Sequence, residues 1–339
     1  MNIHVTMPRG ITRDSFISPE GADALAKLGT VAYNPTDAQY APDALGFMLA
    51  DADIAVTGWG CPPFTARALD AAPRLKLVAH TGGTVAPIVT PELYERGVKV
   101  ISGNELYAES VAEGTVAYML AALRRLPYYD KRVQTGGWND FGDNEGLLDQ
   151  TVGLVGFGAV ARYLAPMLRP FRVRLLAYDP FVPPDVFAGL GVIRVEAPQE
   201  IFETCRVVSL HLPRIPETYR LVGAELLALM QPGALLVNTS RGSVVDEAAL
   251  AVALRGGRIH ALLDVFEQEP LPPDSPLRGL DNCILIPHMA GPTRDRFPLV
   301  TLALCEDIAR LMAGQPLTLE IGLERARRMS NDSMRMGDR

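Results

Sequence analysis

Cysteine is scarce in this 339-residue chain. Cys61, Cys205, Cys283 and Cys305 stand far apart, with neither a disulfide-framework pattern nor metal-ligand spacing. Reduced thiols in a cytoplasmic protein, and no metal site, are the simplest expectation. Long apolar runs are missing too. None approaches the ~18 residues that would span a bilayer, and the N-terminus, Met-Asn-Ile-His-Val-Thr-Met-Pro-Arg-Gly, lacks the apolar core of a signal peptide. Positive charge is in deficit: 32 Lys and Arg face 39 Asp and Glu, a formal net charge of −7. That balance speaks against a nucleic-acid partner, which wants a basic face, and no basic cluster suits an anionic membrane. Arg325, Arg327 and Arg328 are interleaved with Glu324 and read as a solvated helix face or tail.

What is present is ordinary globular composition, 48% apolar and 21% charged. The length favours two domains. Short apolar runs at 3–6, 30–33, 54–57, 75–79 and 98–101 alternate with helical stretches, several with Pro near the first turn. Strands alternating with helices imply a parallel α/β sheet. A long helix over 104–126, closed by Pro127, has an apolar surface too wide for one domain's flank; it is buried between domains or packs on a second subunit. Residues 134–148, rich in Gly, Asp and Asn, read as a loop. A second α/β array follows, with strands at 152–155, 175–178, 192–195, 207–210, 235–238, 261–263 and 284–286. A helix from 297 to 312 ends near Gly314, a plausible C′ residue. It comes after the second array is complete, so it is expected to return to the first. The fold expected is α/β, two doubly wound parallel-sheet domains with a cleft between: residues 1–102 plus 297–323, and residues 103–296. Residues 324–339 read as a weakly structured tail.

Thr-Val-Gly-Leu-Val-Gly-Phe-Gly-Ala-Val-Ala at 151–161 joins a strand to a helix. Gly156 permits the tight turn, Gly158 lets backbone approach a pyrophosphate, and Ala161 takes the small position where helix meets strand. The helix start favours phosphate charge. Such a loop alone is a weak signal. Asp179 strengthens it: this residue ends the next strand 21 residues after Gly158, where an acidic side chain takes ribose hydroxyls. Asp179 would repel a 2′-phosphate, and Pro-Phe-Val-Pro-Pro at 180–184 offers no Arg or Lys to receive one. NAD is therefore preferred over NADP.

Downstream lie Arg241 in Asn-Thr-Ser-Arg-Gly, Glu269 in Asp-Val-Phe-Glu-Gln-Glu-Pro and His288 in Ile-Pro-His-Met-Ala-Gly-Pro-Thr. Taken singly they are a surface loop Arg, a turn Glu and a locally bonded His. Each, however, follows an apolar strand, and ligands of open parallel sheets bind beyond the carboxyl ends of the strands. A guanidinium fork can hold a carboxylate in two parallel bonds, and an imidazole beside a carboxylate is a tuned proton donor.

These stretches, together with Glu-Ser-Val-Ala-Glu at 109–113, Val-Val-Ser-Leu-His-Leu-Pro at 207–213 and Met-Gln-Pro-Gly-Ala-Leu-Leu-Val-Asn-Thr-Ser-Arg-Gly at 230–242, make the chain resemble the D-isomer-specific 2-hydroxyacid dehydrogenase family. The resemblance is strongest from Gly103 to Thr293. It implies a flavodoxin-like substrate domain, a Rossmann NAD-binding domain and a homodimer through the 104–126 helix region. The substrate implied is a 2-hydroxy or 2-oxo acid, such as glyoxylate or hydroxypyruvate. Arg241 becomes the carboxylate clamp, His288 the general acid/base and Glu269 its orienting partner. Ala159 and Val160 would touch pyrophosphate, Thr239 and Ser240 line the nicotinamide pocket, and Asp264 meet the nicotinamide carboxamide. Leu212, Pro213 and Gly291 complete the cofactor set. Domain closure would exclude water.

One loop departs from the family. Many members read Gly-Val-Gly-Val-Asp-Asn where this chain has Thr-Gly-Gly-Thr-Val-Ala-Pro at 81–87. Gly82 and Gly83 keep the substrate-binding turn, Asp-Asn is replaced, and His80 is added before it. His80 is more often structural in such a place; Trp59 either walls the substrate pocket or packs in the core. Two other readings share the fold: an NAD-sensing corepressor-like interaction protein, and a phosphite-type dehydrogenase. A formate dehydrogenase is disfavoured, because those enzymes place Gln where Glu269 stands.

Overall fold

The computed structural model describes residues 1–140, 142 and 144–331. The chain divides into two compact units, residues 1–107 with 292–339, and residues 108–291.

The first unit holds β1 (Asn2–Val5), β2 (Thr30–Tyr33), β3 (Ile54–Thr57), β4 (Leu77–His80) and β5 (Lys99–Ser102). They form one parallel sheet in the order β2-β1-β3-β4-β5, the flavodoxin-like arrangement. β3 and β4 are buried at every position, as continuous apolar runs in a parallel sheet covered on both faces should be. The period of two sorts their side chains. Ile54, Val56, Leu77 and Ala79 join Phe16, Leu25, Val300, Leu304 and Ile308 on one face. Ala55 and Val78 join Leu45, Phe64, Leu69 and Leu93 on the other.

Helix Phe297–Met312 lies in this unit, where Thr301 Oγ1 donates to the Phe16 carbonyl (2.7 Å), and Gly314 follows it with φ 66°. Beyond it the structure departs from the sequence reading of the tail. Leu323–Arg327 is a helix, Ala326 is buried, and Thr84 Oγ1 donates to the Ser330 carbonyl (2.7 Å). Alternating Arg and Glu concealed one small apolar residue that packs. Residues 332–339 of the expected tail lie outside the described residues.

The second unit holds β6 (Thr151–Val155), β7 (Arg174–Tyr178), β8 (Ile193–Arg194), β9 (Val207–Leu210), β10 (Leu235–Asn238), β11 (His260–Leu263) and β12 (Cys283–Leu285). All are parallel, in the order β12-β11-β10-β9-β6-β7-β8. This is the Rossmann order with one strand added at the edge. The order reverses between β6 and β9, so their following loops part and leave a crevice there.

The long helix runs Asn104–Leu123. Its Ala112, Met119 and Leu123 pack in the second unit's own core with Val152, Leu154, Val207 and Val237. Burial within one unit therefore accounts for part of the apolar surface that the sequence reading gave to a second domain or subunit. Pro127 does not close this helix. Arg125 turns left-handed (φ 53°), and a second helix, Leu126–Gln134, starts with Pro127 in its first turn, where a missing N–H costs nothing.

Candidate active site

The glycine loop leaves β6 through Gly156, at φ 92°. A Cβ there would stand 2.5 Å from the His211 carbonyl oxygen after β9. Glycine is thus required twice over, by the left-handed backbone and by the neighbouring strand end. Helix Ala159–Leu168 then starts at Gly158, whose N-cap makes no side-chain bond. Nothing lies within 4 Å of the point where a Gly158 Cβ would sit. The first N–H groups of the helix, on Ala159, Val160 and Ala161, have no acceptor within the helix and suit an anion.

Asp179 follows β7 and is tied to this loop. Its Oδ2 accepts the Phe157 N–H (2.9 Å) and its Oδ1 the Phe181 N–H (2.9 Å). A carboxylate is so fixed beside the phosphate turn, with acceptor capacity left for hydroxyl donors. Leu212 and Pro213 continue from β9 beside the same loop. His211, between them and the strand, is half-buried; desolvation pushes its imidazole down to about 3, and its buried Nε2 has no hydrogen-bond partner among the described residues. The loop and acid therefore fit a dinucleotide.

Arg241 is placed by two neighbours that motif reading passes over. Asn238 ends β10 and is buried. Its Oδ1 accepts the Ser240 N–H (3.0 Å) and Oγ (2.8 Å), and its Nδ2 donates to the Arg241 carbonyl (3.0 Å). This side chain folds Thr239, Ser240 and Arg241 into a turn. Gly242 then passes against the loop after β11: a Cβ on it would lie 1.8 Å from the Phe266 carbonyl carbon. Only glycine allows that approach, and it brings the two strand ends together.

Glu269 is oriented from both sides. Its Oε1 accepts the Phe266 N–H (3.0 Å), and its Oε2 lies 2.7 Å from His288 Nδ1. The Glu269 bond holds the His288 imidazole above its ordinary 6.5; partial burial and the Arg241 charge oppose the rise, and the charges of Glu269 and Asp264 add to it. For Glu269, burial alone would raise the carboxyl. The His288 and Phe266 bonds and the charges of His288 and Arg241 prevail and bring it below its ordinary value.

His288 sits in the left-handed region (φ 53°), which is costly for a residue with a Cβ. Asp264 holds it there. The Asp264 carbonyl accepts the His288 N–H (2.8 Å), and its Oδ1 and Oδ2 accept the N–H groups of Met289 (2.7 Å) and Ala290 (3.0 Å). The carboxylate that the family resemblance gives to the cofactor also holds the histidine's own turn. Two residues of helix Asn104–Leu123 join the site without having been singled out in sequence. Thr115 Oγ1 lies 2.9 Å from Thr239 Oγ1, and Tyr118 donates to Asp264 Oδ1 (3.3 Å). Both belong to a helical face whose apolar neighbours masked them.

Arg241, Glu269 and His288 thus meet at the carboxyl ends of β10, β11 and β12. Gly291 is the last residue of this unit. Gly82 and Gly83 belong to the first unit, in the turn after β4. Before them His80 is 3% exposed, its Nδ1 2.9 Å from Thr57 Oγ1, and burial pushes its pKa down to about 4, so the ring is neutral at pH 7. Trp59 is no core tryptophan: it is 50% exposed, with edge contacts to Phe16, Tyr107 and Phe297.

Among the described residues no group of His, Cys, Asp and Glu could hold a metal ion, the four cysteines are unpaired, and no helix is long and apolar enough to cross a membrane. Comparison with known proteins agrees with the geometry. Residues 116–290 match the D-isomer specific 2-hydroxyacid dehydrogenase, NAD binding domain. The D-3-phosphoglycerate dehydrogenase of Methanocaldococcus jannaschii is 33% identical over 270 residues, 79% of this chain and 51% of that protein, so the chain spans about half the length of such relatives. The glyoxylate reductase of Thermofilum pendens is 38% identical over 261 residues, 75% of this chain and 77% of that protein. A phosphoglycerate oxidoreductase from Rhizobium etli superposes with a TM-score of 0.80 at 26% identity, covering 95% of this chain and 99% of that one. With the Rossmann strand order, the glycine loop and the bonded Glu269–His288 pair, these matches establish that the chain belongs to the D-isomer-specific 2-hydroxyacid dehydrogenase family.

Proposed function

We propose that the protein is an NAD-dependent oxidoreductase acting between a 2-hydroxy acid and its 2-oxo acid. The observation that carries the reading is the 2.7 Å bond between His288 Nδ1 and Glu269 Oε2, with Arg241 acting on both charges. Bound nicotinamide would supply or accept the hydride. The protein's part is the proton and the anion. With Nδ1 engaged, His288 presents Nε2 as the donor to the 2-oxo oxygen in reduction, and as the acceptor of the hydroxyl proton in oxidation. Glu269 fixes the ring and favours its charged form. Arg241 offers its planar fork to the substrate carboxylate, which sets the reacting carbon in place and stabilises charge developing on the oxygen.

The preference for NAD over NADP is supported by Asp179, held by two backbone N–H groups beside the loop, and by the lack of any Arg or Lys over 180–184. Asp179→Ser should narrow the preference for NADH by weakening hydroxyl binding and lifting the repulsion of a 2′-phosphate. We also propose a homodimer through the 104–126 region, supported by the exposed Leu126, Val133 and Trp138 directly after it. Sedimentation of the wild type and of Trp138→Asp tests this; a wild-type monomer at micromolar concentration would refute it.

The deciding experiment is oxidation of NADH with a panel of 2-oxo acids, including glyoxylate, hydroxypyruvate and its 3-phosphate. Turnover of at least one acid, abolished in His288→Gln, is expected. NADH binding without turnover of any acid would leave the nucleotide-sensing reading in its place.

A further inference from the structure

We propose that Tyr118 is a positioning residue for the proton donor: its hydroxyl fixes the rotation of the Asp264 carboxylate, which holds the turn that carries His288. The proposal rests on the reading of His288 as general acid/base.

Asp264 is 1% exposed. A carboxylate so placed must find donors within the protein, since each unmet lone pair is costly away from water. Three are present. The N–H groups of Met289 and Ala290 take one oxygen each, at 2.7 and 3.0 Å, and the Tyr118 hydroxyl adds a second bond to Oδ1 at 3.3 Å. The two N–H groups come from one short turn, so they tether the carboxylate along a single direction. Tyr118 approaches from another element, helix Asn104–Leu123, and supplies the remaining restraint. What the carboxylate grips is the backbone directly after a non-glycine residue at φ 53°. That conformation is strained for a residue with a Cβ and persists only where its surroundings impose it. A slackened Asp264 lets the turn relax, and the imidazole then meets Glu269 Oε2 less squarely.

No metal, redox centre or new bond is involved; the hydroxyl acts through geometry. The charged groups that act on the His288 imidazole are Glu269, Arg241 and Asp264. Of these, the Glu269 bond dominates its titration, so loss of squareness moves the midpoint down toward the ordinary 6.5.

Tyr118→Phe removes the hydroxyl and keeps the ring. Two measurements are needed: the His288 titration followed by NMR in the protein without cofactor, and kcat and KM over a range of pH. The expected result is a lower His288 midpoint and a kcat about three- to tenfold lower at neutral pH, the worth of one modest hydrogen bond. KM for NADH should change by less than about twofold. Tyr118→Met, which fills similar space without a ring, covers the case in which the Phe variant folds poorly. An unchanged midpoint overturns the proposal, whatever happens to kcat. A raised KM for NADH at unchanged kcat overturns it too, because the hydroxyl would then serve the cofactor pocket. The titration needs no substrate. Failure of the wild type to turn over any 2-oxo acid would therefore defeat the proposed reaction and leave the Tyr118 measurement readable.

Discussion

The turns after β3 and β4 and the turns after β10, β11 and β12 occupy the same place in their respective sheets and hold opposite chemistry. In the second unit the turns carry Arg241, Glu269 and His288; the charges of Arg241 and Glu269 act on His288, and those of Arg241 and His288 on Glu269. In the first unit they read Gly-Trp-Gly at 58–60 and Thr-Gly-Gly-Thr at 81–84, without a charged side chain, over a buried neutral His80. On the proposed function, one set would move a proton and hold an anion. The other offers backbone, an indole face and little else. If the second set carries the chemistry, substitutions in the first should leave it intact, and that can be tested.

The largest effect should come from His288→Gln. It keeps a polar side chain of similar reach and removes the proton, so kcat should fall about 10²- to 10⁴-fold with KM for NADH little changed. Steady-state rates on the best 2-oxo acid check this, and near-wild-type turnover would falsify the assignment. Arg241→Ala comes next. Losing a two-bond carboxylate clamp should lower kcat/KM about a hundredfold or more; Arg241→Lys should recover only part, since an ammonium cannot reproduce the fork. Gly242→Ala attacks placement rather than chemistry. Its methyl runs into the Phe266 backbone, and overpacking of this kind costs about 1–3 kcal/mol, visible as a lower Tm together with lost activity.

The pH dependence sharpens the contrast further. Reduction needs charged His288, so kcat/KM for the 2-oxo acid should decline only above an apparent pKa higher than 6.5. Glu269→Gln should bring that limb down. The sign for stability differs at the two partners. The raised His288 contributes most below 6.5 and loses its contribution as pH rises through its folded value. The lowered Glu269 contributes above 4.5 and loses it as pH falls through its folded value. The Tm difference between wild type and His288→Gln should therefore peak between those limits and shrink on either side. The smallest effect on chemistry is predicted for Trp59→Ala: the ranking of 2-oxo acids by KM changes while the pH limb stays. If instead the limb moves, the two sets of turns are not separable.

The inner strands β3, β4, β9 and β10 were legible because each is a short, largely apolar run buried on both faces of a parallel sheet, where burial overrides everything else. The glycine loop and Asp179 were legible because their spacing follows from strand and helix lengths. Elements whose cause lies far away in sequence were not. Helix Leu126–Gln134 hid behind Pro127, which ends helices and begins them equally well. Asp264 was read from resemblance as a cofactor contact, and nothing in Leu-Asp-Val-Phe shows that its oxygens meet amides 25 and 26 residues later. Tyr118 and Thr115 lay on a helix whose apolar surface drew attention to packing. Motifs pointed to the candidate reacting groups; the residues that hold them in place became visible only with the fold.

The close pass of Gly242 against Phe266 has a consequence for anyone altering this protein. Arg241 and Glu269 hang from two strands but are tied by this one contact, so they move as a single part. A new anion clamp cannot be installed at residue 241 alone. The turns after β10 and β11 must be transplanted as a matched pair.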